Sequence, residues 1–148
     1  MADRITKEHR SWNMSRIRSG NTKPEMIVRS MLYKMGYRFR LHGKVSKRLQ
    51  PKGLLPGKPD IVLAKYKTVI FVHGCFWHGH EGCKDFVIPK TRTEWWVNKI
   101  NTNKKRDENK FEELTKLGWN ISIIWECETK NNNEFLIKKI LRKCKNRC

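Results

Sequence analysis

The sequence predicts an α/β fold, a mixed central sheet flanked by helices, built as a single domain. Three observations predict it. The 148 residues suit one ordinary domain with a sizeable core. Helical apolar spacing alternates with short apolar runs in the order helix, strands, helix, strand, helix, and that order favours a mixed sheet covered by helices. No internal repeat or second regime of composition divides the chain.

Residues 1–20 are polar and basic with few apolar anchors and read as an arm, partly helical around Ser11–Arg18. Thr22-Lys-Pro-Glu25 then matches a capping box, with Pro24 in the first turn, where its missing N–H is harmless. Met26, Val28, Met31, Leu32 and Met35 follow at helical spacing, and Gly36 is a C-terminal stop. Tyr37–Leu41 alternates like a strand. Residues 42–58, HGKVSKRLQPKGLLPGK, are dominated by Pro, Gly and Lys and read as a mobile basic loop. Two apolar runs, Pro59–Leu63 and Thr68–Val72, flank a turn at Lys65–Lys67, the pattern of a hairpin of central strands. Thr93–Leu117 is a long charged helix that turns Trp96, Val97, Ile100, Phe111 and Leu114 toward the core and ends at Gly118. Trp119–Trp125 is a further core strand carrying Ile121, Ile123 and Ile124, and Glu134–Lys143 is a last amphipathic helix. The expected organisation is a basic arm over 1–20 and one domain over 21–148.

Lys and Arg number 33 against 14 acids, a net charge of +19. A surplus that large in a small domain repels itself and calls for an anionic partner. Nucleic acid leads, because neutralised phosphates release counterions. A membrane surface fits less well, since no basic amphipathic helix stands alone, and the longest apolar run is far too short to span a bilayer. The start, MADRITKEHR, lacks the apolar stretch of a signal peptide, so a cytoplasmic location is expected; a monomer is a separate expectation.

The chemistry concentrates in Phe71–Cys83, FVHGCFWHGHEGC. Cys75, His80 and Cys83 lie five and three residues apart, a spacing that suits a tetrahedral zinc site. Unligated buried cysteines are the bland alternative. A fourth ligand is required, and Cys127, just beyond a core strand, competes with His78 for the position. Five cysteines in a chain without a signal argue against a disulfide framework, and Cys144 and Cys148 read as free thiols in a basic tail.

Asp60 opens one hairpin strand and Phe71-Val72-His73 closes the next, so a carboxylate and the end of the neighbouring strand can converge on Mg²⁺. Such a cation polarises a phosphodiester and activates water. Asp60 can equally pair with Lys58, Lys65 or Lys67. Glu25 can close the capping box by bonding back to the Thr22 amide, or face the metal site. His73 and His78 are candidates for proton transfer, because imidazole changes charge near neutral pH. Phe76-Trp77 either folds into the core or stacks and wedges between bases.

Five segments together carry a resemblance: Arg10-Ser-Trp-Asn-Met14, Gly57-Lys-Pro-Asp60, Val69-Ile-Phe-Val-His-Gly-Cys-Phe-Trp-His78, Pro89-Lys-Thr-Arg-Thr-Glu-Trp-Trp96, and Leu117-Gly-Trp through Ile124-Trp-Glu-Cys127. In these the chain closely resembles the very-short-patch repair (Vsr) endonucleases, which nick DNA at T·G mismatches. The resemblance implies the restriction-endonuclease-like fold with a structural zinc site. It implies Mg²⁺ held by Asp60 and the main-chain carbonyl of Val72, catalytic roles for His73 and His78, and Glu25 near the metal-bound waters. Zinc ligands carry over as Cys75, His80, Cys83 and Cys127. Phe76 and Trp77 match aromatics that intercalate beside the mismatch, and Met14 matches a residue inserting from the other groove. The implied partner is double-stranded DNA with a T·G mismatch, with other mismatch-repair proteins as further candidates. The sequence departs from the family's pattern in Val72 where Thr is expected, in an extra Gly82, in a long Leu41–Gly57 segment and in a short C-terminus. The alternatives are a restriction-like or resolvase-type nuclease with another target, and a zinc-braced DNA-binding module without catalysis.

Overall fold

The computed structural model describes residues 6–8, 21–130 and 133–145. The elements run α1 (Lys23–Lys34), β1 (Arg40–Leu41), β2 (Ile61–Leu63), a 3₁₀ turn (Ala64–Tyr66), β3 (Thr68–His73), α2 (Thr93–Lys116), β4 (Asn120–Trp125), α3 (Glu126–Thr129) and α4 (Asn133–Lys145). Most of the arm, including Ser11–Arg18 and Met14, lies outside the described residues, as do the Cys148 terminus and the Cys144 side chain.

The four strands form one sheet in the order β1-β2-β3-β4. β1 and β3 pair antiparallel with β2, while β4 lies parallel to β3, so the sheet is mixed. Alternation along β2 and β3 splits the core into two layers. Ile61, Leu63 and Ile70 pack with Val28, Met31 and Leu32 of α1 and Leu136 and Ile140 of α4. Val62, Val69 and Phe71 face the opposite way onto Leu114 of α2, Trp119, Val45 and Leu55. Burial on both faces explains why these strands read as continuous apolar runs.

α1 starts as its sequence dictates. The Thr22 hydroxyl accepts from the Glu25 amide at 3.4 Å. The return bond differs from expectation: the Glu25 carboxylate accepts from the Asn21 amide, at 2.9 Å, one residue earlier than Thr22. At the other end Gly36 has φ +81°. Its amide donates to the Tyr33 carbonyl and that of Tyr37 to Leu32, both at 3.0 Å, the bond pair of a Schellman stop.

Four expectations are corrected. Tyr37–Leu41 is a strand only at Arg40–Leu41, which pair with Val62 and Ile61, while Tyr37 and Phe39 pack against the core ahead of it. Met26 is 49% exposed, since it lies about 200° around α1 from Val28. Met35 caps that helix and Val97 lies on the flank of α2's apolar stripe, both outside the core. The 42–58 loop is anchored rather than mobile: Val45 and Leu55 are buried, and Lys44 bridges Leu54 in antiparallel fashion. Among the described residues no helix is long and apolar enough to cross a membrane.

Leu55→Ala tests this anchoring. Urea unfolding is expected to show a loss of about 2–4 kcal/mol, the usual cost of emptying a buried leucine site. A loss no larger than that of an exposed loop leucine contradicts it.

Candidate active site and metal centre

Three chain segments meet at one end of the β2–β3 hairpin. Asp60 precedes β2, Val72 and His73 end β3, and Glu25 sits in the first turn of α1. They line a cleft of about 830 Å³ together with Lys58, Trp77, His78, Arg106, Asp107, Phe111 and Glu126. The antiparallel register brings Asp60 alongside the end of β3, and its Oδ2 accepts from the Val72 amide at 2.7 Å. The lysine pairing considered for Asp60 is not formed.

Glu25 is only 3% exposed. Its Oε2 accepts from the Asn21 amide and from Arg29 at 3.1 Å. The Asp60 carboxyl is pushed up from 3.8 to about 7, first by burial and then by the neighbouring Glu25, against the lowering effect of the Val72 N–H. Two carboxylates in one cleft at this energetic cost form a place where a cation is favoured. Glu25 therefore both caps α1 and faces Asp60.

His73 and His78 stack face to face, 3.7 Å between ring centroids and 6° apart. His73 is enclosed further by Phe71, Phe111 and Trp125. Burial, then the proximity of His78, lowers its pKa from 6.5 to about 3, so this ring stays neutral at physiological pH. His78 differs: its Nδ1 lies 2.6 Å from Asp107 Oδ2. A carboxylate on Nδ1 fixes the ring's orientation and tautomer and leaves Nε2 as the proton acceptor.

Asp107 was not legible as a site residue, yet its position carried a signal. Trp96, Ile100, Leu114 and Phe111 form the inward stripe of α2, and Asn103 and Asp107 fall on that stripe at helical spacing. Both polar side chains point at the loop after β3. Asn103 Nδ2 donates to the Trp77 carbonyl at 2.9 Å, and Asp107 takes His78.

The second cluster follows from strand register. In the parallel β3–β4 pair His73 lies opposite Trp125, so Cys75 and Cys127 each come two residues beyond a paired position. Cys75, His80, Cys83 and Cys127 bring one ligand atom each to within 4.8 Å of one another. The Cys127 amide donates to Cys75 Sγ at 3.4 Å, and His80 Nδ1 lies 3.5 Å from Cys127 Sγ. Burial pushes the Cys75 thiol up to about 12 and raises Cys127 as well. Cys75, Cys83 and Cys127 form no disulfide. Three thiols and an imidazole so placed are a donor set for a thiophilic tetrahedral cation. Cys127 joins this cluster, whereas His78 groups with His73 and Asp107.

The loop can close only with glycine at 79. Gly79 has φ +63°, and a Cβ there would stand 2.8 Å from Ile100 Cγ2. Phe76 and Trp77 are half-buried and gather on Trp96, with centroids at 5.3 and 5.9 Å. Neither is fully in the core nor fully free.

The chain is similar to known DNA endonucleases. The family model described as DNA mismatch endonuclease Vsr matches residues 2–85. The DNA mismatch endonuclease Vsr of Escherichia coli is 42% identical over 127 residues, 86% of this chain and 75% of its own length. The type II nicking enzyme V.XorIIP of Xanthomonas oryzae is 47% identical over 128 residues, 86% of this chain and 87% of its own. The type II nicking enzyme V.NmeAIP of Neisseria meningitidis is 46% identical over 131 residues, 88% of this chain and 86% of its own.

The raised Asp60 pKa makes metal-free stability depend on pH. The folded state holds this proton more tightly than the unfolded chain, so the contribution is complete below about pH 4 and is lost as pH rises through about 7. Urea titrations of metal-free wild type and Asp60→Asn are expected to diverge from pH 4 to 8, the variant gaining relative to wild type. A gap that does not change with pH contradicts the burial of this carboxyl beside Glu25.

Proposed function

From the premise that the chain belongs to the DNA mismatch endonuclease Vsr family, and so is a DNA endonuclease, we propose that it nicks one strand on the 5′ side of the T in a T·G mismatch. Such mismatches arise when 5-methylcytosine deaminates, and the nick opens a short repair patch. The observation that carries the reading is the meeting of Asp60, Glu25 and the His73–His78–Asp107 group in one cleft of a strongly basic protein.

Asp60 and the main-chain carbonyl of Val72 would hold Mg²⁺, with Glu25 beside them in the cleft; Val72 in place of Thr leaves a carbonyl ligand intact. The bound cation supplies charge neutralisation at the scissile phosphate. His78 accepts the proton of the attacking water at Nε2 while Asp107 stabilises the imidazolium so formed. His73, kept neutral by its aromatic surroundings, backs the His78 ring and fixes its plane. Attack on phosphorus breaks the P–O3′ bond, and the leaving 3′ oxygen takes a proton from solvent, giving a 5′-phosphate and a 3′-hydroxyl. Cys75, His80, Cys83 and Cys127 would hold zinc and so brace the loop carrying His78. Phe76 and Trp77 swing from Trp96 to stack beside the mismatch, and Met14 of the 1–20 arm enters from the other groove. The mixed sheet with a helical layer on each face supports a restriction-endonuclease-like fold for the 21–148 domain. The protein acts as a cytoplasmic monomer.

Nicking of end-labelled duplexes carrying T·G, T·A or C·G at one position tests the reading. A single cut, only in the T strand of the T·G duplex and only with Mg²⁺, is expected. Equal cutting of all three indicates a nuclease with another target. Asp60→Ala is expected to abolish the cut while mismatch binding persists; retained cutting removes Asp60 as the metal ligand. Asp107→Asn is expected to lower the cleavage rate at saturating DNA by about 10²-fold, the scale of a general-base contribution, with little change in binding. An unchanged rate contradicts the role assigned to the pair.

A further inference from the structure

We propose that the loop between β1 and β2 grips the backbone of the DNA duplex on the 5′ side of the nick. The inference deepens the mismatch-nicking reading and takes its polarity from it. Residues 42–58 contain Lys44, Lys47, Arg48, Lys52 and Lys58 and no acid. All five cations are exposed, and none forms an ion pair with an acid among the described residues.

A merely solubilising run needs no fixed shape, and this loop has one. Val45 and Leu55 are buried in the layer beneath α2. The Val45 amide donates to Gly53 at 3.1 Å and the Leu55 amide to Gly43 at 2.9 Å, so the loop doubles back on itself. His42 and Lys58 hold left-handed backbone, φ +54° and +45°, conformations that side-chain-bearing residues keep only where their surroundings impose them. The fixed fold turns the cations outward, and Gly57 and Lys58 also line the cleft, so the basic surface continues into the site of cleavage. Fixed cations contiguous with a phosphodiester-cleaving cleft suit the next phosphates of the same duplex.

α2 sets the direction. Phe76 and Trp77 pack on Trp96, while a Cβ on Gly57 would come within 3.0 Å of Lys110 on the same helix. Those two positions are about 21 Å apart along the helix at 1.5 Å per residue. The His78–Asp107 pair lies between them, close to the Lys110 end. With the mismatched T at the aromatics and its 5′ phosphate at His78, duplex continuing past the cleft runs over the loop, and that arm is the 5′ one.

The test is the triple variant K47Q/R48Q/K52Q, whose substitutions are all exposed and outside the cleft. Binding of the full chain to a T·G duplex is measured in chelator across a salt series, and again with duplexes shortened on either side of the mismatch. Each phosphate contact contributes about 0.9 to the slope of log K against log salt. The variant's slope is expected to be smaller by about 2–3, with affinity near physiological salt reduced at least about tenfold. Removing the 5′ arm is expected to cost wild type that same factor and the variant little more, with cleavage at saturating DNA unchanged. An unchanged slope, or a loss that follows the 3′ arm, overturns the proposal. If wild type binds and cuts matched and mismatched duplexes alike, the mismatch reading fails, and the slope difference still decides whether the loop contacts DNA.

Discussion

The parallel pairing of β3 with β4 is the constraint on which both sites depend. Its six-residue register, Thr68 with Asn120 through His73 with Trp125, is locked by burial on both faces, because a one-residue slip would invert every side chain. At the ends of these strands the register sets His73 beside Trp125 and then Cys75 beside Cys127. Trp125 links the two sites physically, since its ring stacks on His80 at 4.1 Å and meets His73 edge-on at 5.4 Å. A change in the cysteine cluster is therefore felt in the cleft through direct ring contacts.

α2 completes the arrangement from the other side. A helix that buries one stripe normally keeps it apolar, and a polar residue there costs free energy unless it is hydrogen-bonded. Asn103 and Asp107 meet that condition by bonding to the loop after β3, so the same helix supports the core through Leu114 and aims His78 through Asp107. The loop has little apolar content of its own to hold it. Its position comes from these bonds, from the close approach of Gly79 to Ile100 and from the cysteine cluster.

Much of the fold was legible because burial on two faces writes itself into the strands. Ile61–Leu63 and Thr68–His73 needed only their apolar runs, and α1 announced itself with Thr22 and Gly36. Cys75, His80 and Cys83 were legible as a cluster from spacing, while Cys127 and His78 competed for the fourth place and the family resemblance implied Cys127. What stayed hidden depends on tertiary geometry. Val45 and Leu55 look like isolated apolar residues in a Lys/Gly/Pro segment until a folded-back loop carries them under α2. Asp107 is one acid in a densely charged helix, and only the phase of that helix separates it from Glu108, which is exposed. The stacking of His73 on His78 and the packing of Phe76 and Trp77 on Trp96 involve contacts whose rotamers the spacing does not determine.

The electrostatic design is an acidic cleft in a protein of net charge +19. Asp60, Glu25, Asp107 and Glu126 line the surface that would receive a phosphodiester, so like charges would meet there unless a cation intervened. The surrounding basic surface favours a polyanion, and the acids favour a cation between themselves and a phosphate. The loop carrying His78 is held in part by the meeting of Cys75 with Cys127. Native mass spectrometry of the chain refolded with excess zinc, wild type against Cys127→Ser, measures this most directly. One zinc per wild-type chain, with loss of zinc and lowered thermal stability in the variant, is the predicted result. Full zinc occupancy in Cys127→Ser would contradict the account.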